Sequence, residues 1–153
     1  MPQTSLPIRV GVVGVGYVGA LHAQIYARVP RLAKLVAVYD VDAARARSVA
    51  RQTGCRAVKR LDELLGEVQA ASVCVPTNRH HAVGTALLEA GIPTLIEKPI
   101  ATTLEEADDL LATAARRRLV LQVGHLERFN AAIQAAQHYL THPRFIEAHR
   151  LSP

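Results

Sequence analysis

The chain has 153 residues, enough for one sizeable core and too few for two full domains. Half of it is apolar, 20% is charged, and 18 Lys and Arg against 13 Asp and Glu leave a net charge of +5, a balance that excludes a disordered tail, a coiled coil and a collagen-like fibre. No apolar run approaches the roughly 20 residues that cross a bilayer, and the opening MPQTSLPIRV lacks the basic start and apolar stretch of a secretory signal, so the expected setting is cytoplasmic, with no membrane partner.

Short β-branched runs alternate with helical stretches, each switch marked by a glycine, a proline or a capping residue. IRVGVV (8–13) reads as a first strand covered on both faces. From Tyr17 to Arg28 the residues Val18, Leu21, Ile25 and then Val29 recur at helical spacing, and Pro30 closes the segment. LVAVY (35–39) is a second strand. Asp42 caps a helix to about Gln52, which Gly54 ends. Residues 56–58 form a short third strand and 61–65 a small helix. ASVCV (71–75) is a fourth strand, stopped by Pro76. Asn78 is positioned to cap a helix running to Ala90, whose end Gly91 and Pro93 mark. Residues 94–96 form a fifth strand leading into Glu97-Lys98-Pro99. Thr103 and Glu106 make a capping box for a helix with Leu104, Ala107, Leu111 and Ala114 on one face. LVLQV (119–123) is a sixth strand and 130–140 another helix.

Six strands with crossover helices predict an α/β fold, an open, doubly wound, mainly parallel sheet of Rossmann type. Residues 1–126 fill that domain. Residues 127–153 read as a connecting helix and a strand (144–151) that belongs to something other than this sheet. The apolar edge of that strand predicts self-association, and a homo-oligomer is expected.

Cys55 and Cys74 are 19 positions apart without C-x-x-C pairing, which supports neither a disulfide framework nor a zinc ribbon. His138 and His142 share a helical face, but nothing like H-E-x-x-H surrounds them, and no metal is expected. The Arg residues are scattered apart from Arg116-Arg117-Arg118, which end a predicted helix where cations meet the negative end of the macrodipole. With no clustered stripe or reading motif, no nucleic-acid partner is expected.

Gly14-Val15-Gly16-Tyr17-Val18-Gly19 matches G-x-G-x-x-G. Alone it is a weak signal. Here it follows the first strand, opens the first helix, and precedes Asp40, which lies 21 residues beyond Gly19 at the end of the second strand, the context of a dinucleotide fingerprint. Gly14 permits the tight turn, Gly16 lets the backbone approach a pyrophosphate, and Gly19 lets helix and strand pack closely. The N–H groups at the helix start, around Tyr17 and Val18, then hold the diphosphate. Asp40 accepts from the adenosine ribose hydroxyls and repels a 2′-phosphate, which favours NAD over NADP, while Arg45 and Arg47 in the next helix soften that preference.

The glycine loop, CVPTNRHHAVGTALLEAG, LIEKPIATTLEEADDL and VGHLERFNAAI together resemble the amino-terminal half of the Gfo/Idh/MocA oxidoreductases. Within that family the His22-Ala23-Gln24 run and GHLERFN are most similar to bacterial nucleotide-sugar 3-dehydrogenases of the UDP-N-acetylglucosamine type, which supply a 3-keto sugar for amination in lipid A assembly. The resemblance implies a dehydrogenase acting on a small-molecule sugar with NAD, about twice as long as this chain, in which residues 127–153 begin a second, α+β domain. Glu97, Lys98 and Pro99 match the family's EKP signature, in which the lysine sits beside nicotinamide and the carbon being oxidised, and the Lys-Pro bond is often cis. Lys98 is therefore the catalytic candidate and a contact of both cofactor and substrate; the alternative is a solvated loop lysine. Pro76, Thr77, Asn78 and His80 match the loop that contacts the cofactor's ribose and nicotinamide side, although the family more often has Asn at the position of Thr77, and Asn78 alternatively serves as a helix cap. His125, Arg128 and Asn130 match the segment facing cofactor and substrate. For His125 the alternative is a loop histidine, and for Arg128 a domain-interface ion pair. The other readings are an inositol or free-sugar dehydrogenase of the same family and a non-catalytic dinucleotide-binding module.

Overall fold

A computed structural model describes residues 6–139 together with 141, 142, 144, 145, 147 and 149. In chain order they form β1 (Ile8–Val13), α1 (Tyr17–Arg28), β2 (Ala33–Tyr39), α2 (Ala43–Thr53), β3 (Arg56–Ala57), α3 (Leu61–Leu65), β4 (Ala70–Val73), α4 (His80–Glu89), β5 (Thr94–Ile96), α5 (Leu104–Arg117), β6 (Leu121–Val123) and α6 (Ala131–Ala136). The six strands make one sheet in the order β3-β2-β1-β4-β5-β6, and every pair is parallel. This is the doubly wound arrangement expected, with the strand order reversing between β1 and β4. The proposed strand over 144–151 lies in part outside the described residues.

Both faces of the sheet are covered, which is why its strands read as unbroken apolar runs. On one face Val10, Val12, Leu35 and Val38 pack with Ala23 of α1 and Ala46, Val49 and Ala50 of α2. On the other, Val13, Ala37, Val73 and Ile96 pack with Leu64 of α3, Leu87 and Leu88 of α4, and Leu110 and Ala114 of α5.

Two helices dock on a stripe that departs, wholly in α1 and in part in α5, from the one their large apolar residues predict. In α1 the buried residues are Gly19 and Ala23, whereas Val18, Leu21 and Ile25 remain 40%, 41% and 56% exposed. The close approach at Gly19 decides this, because only the small-residue side of the helix can lie against the loop after β1. In α5, Ala107 and Ala114 of the expected face pack on the core, while Leu110 and Thr113 are buried and Leu104 and Leu111 face outward. Leu110 occupies the space over Gly84 of α4, where a β-carbon would come within 2.9 Å of its Cδ2. Of two adjacent leucines, the one above the glycine is drawn in.

The helix ends follow local chemistry. Asp42 accepts from the N–H groups of Ala44 and Arg45, and Gly54 ends α2 in the left-handed region at φ 69°. Thr103 accepts from Glu106 N–H at 3.2 Å, while the Glu106 carboxylate accepts from Thr102 N–H at 2.9 Å, one residue before the position a capping box predicts. Thr103→Ala is expected to lower stability by about 1 kcal/mol, read as a downward shift of the urea or thermal midpoint. Asn78 does not cap α4. It lies in a 3-10 turn over Thr77–Arg79, and the helix begins after Arg79 with no side-chain cap. At the other end, Arg116 and Arg117 of α5 both reach Glu89 of α4, so they tie two helices together as well as facing a dipole end. Hydrogen bonds from Arg117 and then Arg116 hold the Glu89 carboxyl below its ordinary range. The tie is therefore complete at neutral pH and is lost only as acid protonates that carboxyl.

Candidate functional site

Parallel strands put all their carboxyl ends on one edge, and the loops leaving β1, β2, β4, β5 and β6 carry most of the candidate residues. Main-chain bonds stitch the roots of these loops together. Gly14 N–H donates to Tyr39 O and Cys74 N–H to Val13 O, each at 2.8 Å, Glu97 N–H to Val73 O at 3.0 Å, and Gly124 N–H to Ile96 O at 2.8 Å.

The glycine loop is a cradle for an anion. Gly14 has φ 81°, and a β-carbon there would lie 2.8 Å from the Cys74 backbone. A β-carbon on Gly19 would meet the Gly14 carbonyl oxygen at 1.9 Å, while one on Gly16 would meet nothing within 4 Å. So Gly14 and Gly19 are required by the fold, and Gly16 leaves open space in front of the loop. The first turn of α1, at Tyr17 and Val18, holds no acidic residue and its N-cap makes no side-chain bond. Its N–H groups are thus available to a diphosphate, which fits NAD.

Asp40 lies at the carboxyl end of β2 and is 8% exposed. Its Oδ2 accepts from Val15 N–H of the glycine loop and its Oδ1 from Asp42 N–H, both at 2.8 Å. Arg45 Nη1 stands 3.5 Å from Oδ1. The carboxylate therefore braces the cradle, with acceptor capacity left over for a hydroxyl. Beside it opens a cleft of about 500 Å³ walled by Asp40, Val41, Arg47, Val58 and Lys59, of a size and apolarity that suit an adenosine.

After β4, Pro76 and Asn78 are exposed and Thr77 is half-buried. His80 differs from its neighbours. It is 1% exposed, with Nε2 2.9 Å from Val75 O and Nδ1 2.8 Å from Pro99 O, so both ring nitrogens face main-chain carbonyls of the protein and at least one of those carbonyls accepts from the ring. His81, next in sequence, points outward and pairs with Asp109 at 2.7 Å.

After β5, the Lys98-Pro99 bond is cis, as the resemblance implies. Glu97 turns inward. Its Oε1 is buried without a well-aligned hydrogen bond and lies 3.2 Å from Nε2 of His22 on α1, and its Oε2 accepts from Lys98 N–H at 3.3 Å. Room for this carboxylate depends on Gly124, where a β-carbon would stand 2.5 Å from Oε1. Lys98 itself is exposed, and among the described residues no side-chain hydrogen bond or ion pair engages its ammonium. Beyond β6, His125, Arg128 and Asn130 are all exposed. Asn130 caps α6 by accepting from Ala132 N–H at 3.0 Å and donates to Glu127 at 2.7 Å.

His22 and Gly124 enter the sequence reading only as members of the His22-Ala23-Gln24 and GHLERFN runs, and their contacts with Glu97 were not read from it. The pairing of a histidine three residues past the glycine loop with the acid of the EKP run was the signal available.

Cys74 lies against this cluster. Burial first, and then the charge of Glu97, push its thiol up to about 12, and burial raises Cys55 as well. Both thiols are expected to react slowly with a thiol reagent at pH 8 in the native chain, because thiolate is the reactive form. Unfolding in denaturant is expected to make both react fast, and rapid native labelling of Cys74 would contradict its placement. Among the described residues, no group of three His, Cys, Asp or Glu side chains could hold a metal ion, and no helix is long and apolar enough to cross a membrane.

Comparison with known proteins bears on the domain as a whole. The profile of the Gfo/Idh/MocA oxidoreductase family, described as an NAD-binding Rossmann fold, matches residues 8–125. The UDP-N-acetylglucosamine 3-dehydrogenase of Acidithiobacillus ferrooxidans is 46% identical over 147 residues, covering 95% of this chain and 46% of that one. A solved structure of that enzyme superposes with a TM-score of 0.83 at 43% identity, over 88% of this chain and 44% of the other. Inositol 2-dehydrogenase 1 of Saccharopolyspora erythraea is 38% identical over 82% of this chain and 39% of its own. The chain thus spans less than half the length of these relatives. With a matching profile over most of its length and the family's glycine loop and EKP turn on one sheet edge, the chain belongs to the Gfo/Idh/MocA oxidoreductases and carries their NAD-binding Rossmann domain.

Proposed function

We propose that the chain is the cofactor-binding half of an NAD-dependent dehydrogenase that oxidises the 3-hydroxyl of a nucleotide-linked amino sugar such as UDP-N-acetylglucosamine. The observation that carries the chemistry is Lys98, exposed and unpaired at the carboxyl end of β5, on the same edge as the diphosphate cradle. The observation that favours this substrate is the 46% identity to the Acidithiobacillus enzyme across 95% of the chain.

When bound, NAD supplies an acceptor for the hydride leaving the sugar carbon. The chain's residues do the rest: the glycine loop and α1 bind the diphosphate, Asp40 takes the ribose hydroxyls, and Pro76, Thr77 and Asn78 border the nicotinamide side. Lys98 Nζ, in its uncharged form, receives the hydroxyl proton as the carbonyl forms. His125 and Arg128 face the substrate from the β6 loop, with Arg128 suited to a phosphate.

Two measurements test this reading. The full-length polypeptide is expected to form NADH with UDP-N-acetylglucosamine and not with inositol or free sugars. Activity on inositol alone would replace this substrate with that of the Saccharopolyspora relative. NADH is expected to bind the chain more tightly than NADPH because of Asp40, and equal or tighter NADPH binding would remove that role from it.

A further inference from the structure

Two side chains outside the expected catalytic set hold the ends of the turn that carries Lys98. On the amino side, Glu97 is turned under the sheet edge toward His22 of α1, both side chains being 12% exposed. On the carboxyl side, the carbonyl of Pro99 faces the ring of His80, the first residue of α4. The other nitrogen of that ring faces the carbonyl of Val75, at the root of the β4 loop. His80 is buried to 1% exposure, so its ring is fixed by packing. Carbonyl oxygens only accept. A neutral ring therefore donates to one of them and turns a lone pair to the other, whereas a doubly protonated ring donates to both. In either form the ring lies between the loop bearing Pro76, Thr77 and Asn78 and the turn bearing Lys98, His80 and Pro99 being 19 apart in sequence.

We infer that His80 is a positioning residue for Lys98, fixing the Glu97–Pro99 turn against the β4 loop, with His22 steadying the opposite end through Glu97. The inference rests on the reading above that Lys98 stands beside the nicotinamide. Lys98 needs such support because its own side chain has no partner, so its place at the sheet edge is set by the backbone on either side. A supporting shell of this kind decides whether a reactive group is held to a fraction of an ångström or left loose.

The chain offers a direct probe, since it has only three lysines, Lys34, Lys59 and Lys98. Reductive methylation with ¹³C-formaldehyde gives each an NMR signal, assigned with Lys98→Arg. The quantity read is the difference in the Lys98 signal between the chain saturated with NAD⁺ and the chain saturated with ADP-ribose, which lacks the nicotinamide. A clear difference is expected in the unaltered chain. In His80→Leu that difference is expected to shrink by about half or more, while the Kd for ADP-ribose changes less than about threefold and the Lys59 signal responds as before. His80→Gln, whose side-chain amide offers N–H donors to the same pair of carbonyls, is expected to recover most of it. A merely structural role would lower the melting temperature in both variants alike and leave the Lys98 difference intact.

An undiminished difference in a folded His80→Leu chain overturns the inference and leaves the reading of Lys98 standing. Absence of any difference in the unaltered chain overturns both. Should the leucine variant not fold, the unaltered chain still decides: a ring N–H of His80 protected from exchange with water is expected, and its absence overturns the inference.

Discussion

Lys98→Ala is expected to leave the chain's affinity for NAD within about threefold of its original value while lowering kcat of the full-length enzyme by about 10²- to 10⁴-fold. The two halves of this expectation come from different places on the sheet edge. On the proposed reading the diphosphate and adenosine bind at β1 and β2, where the glycine loop, Asp40 and the adjoining cleft lie, and the lysine ammonium takes no part in bracing that loop. The loss falls on the proton, for which no other side chain with an unengaged basic nitrogen stands on the same turn. Lys98→Arg is expected to fail almost as badly, because a guanidinium keeps its charge and does not accept a proton near neutrality. Measuring NAD binding by calorimetry alongside turnover separates the outcomes. Turnover of Lys98→Ala within about twofold of the parent would deny the lysine its place in the proton transfer.

The second large effect is expected at Gly19. An alanine there puts a β-carbon 1.9 Å from the Gly14 carbonyl oxygen and 3.1 Å from Cys74 Cβ, with no flexible side-chain end to give way at the shorter contact. The helix must move off the loop or the loop must open. Gly19→Ala is expected to cost about 1–3 kcal/mol of stability and to weaken NAD binding by tenfold or more, about 1.4 kcal/mol. Gly16→Ala supplies the contrast, since its β-carbon meets nothing within 4 Å. Its stability cost is expected to stay near 1 kcal/mol or less, yet the methyl fills the space the pyrophosphate needs, so affinity falls while the fold persists. Thermal melts and NAD titration on both variants give the comparison. Equal affinity losses accompanied by equal stability losses would mean that the open space at Gly16 is not where the cofactor lies.

The architecture was legible because its signals are local and repeated. The bounds of β1, α1, α3 and β5 coincide with those read from the run of residues, as buried parallel strands and glycine-punctuated helices leave few other readings. Helix facing was harder. Counting large apolar residues selects Val18, Leu21 and Ile25 in α1, but the side that docks is chosen by the contact at Gly19, which depends on a carbonyl five residues earlier. The same failure in α5 traces to Gly84, on another helix. Site residues divide similarly. Gly14, Gly16, Gly19, Asp40 and Lys98 announce themselves by spacing or motif. The contacts from His80 to Pro99 and from His22 to Glu97 join residues far apart in the chain, and no periodicity carries them.

The stitching of the loop roots by main-chain bonds has a bearing on how such a domain can change. Each loop is fastened at its base by an amide and a carbonyl, groups that every residue but proline supplies in full. Replacing side chains farther out, at His125 or Arg128, disturbs no fastening at the Gly14, Cys74, Glu97 or Gly124 root. On the proposed reading, the part that would grip a dinucleotide and the part that would meet a sugar are therefore free to vary at separate rates. A scaffold so divided can hand one oxidising cofactor to many different alcohols, redrawing the rim while the anchor points stay as they are.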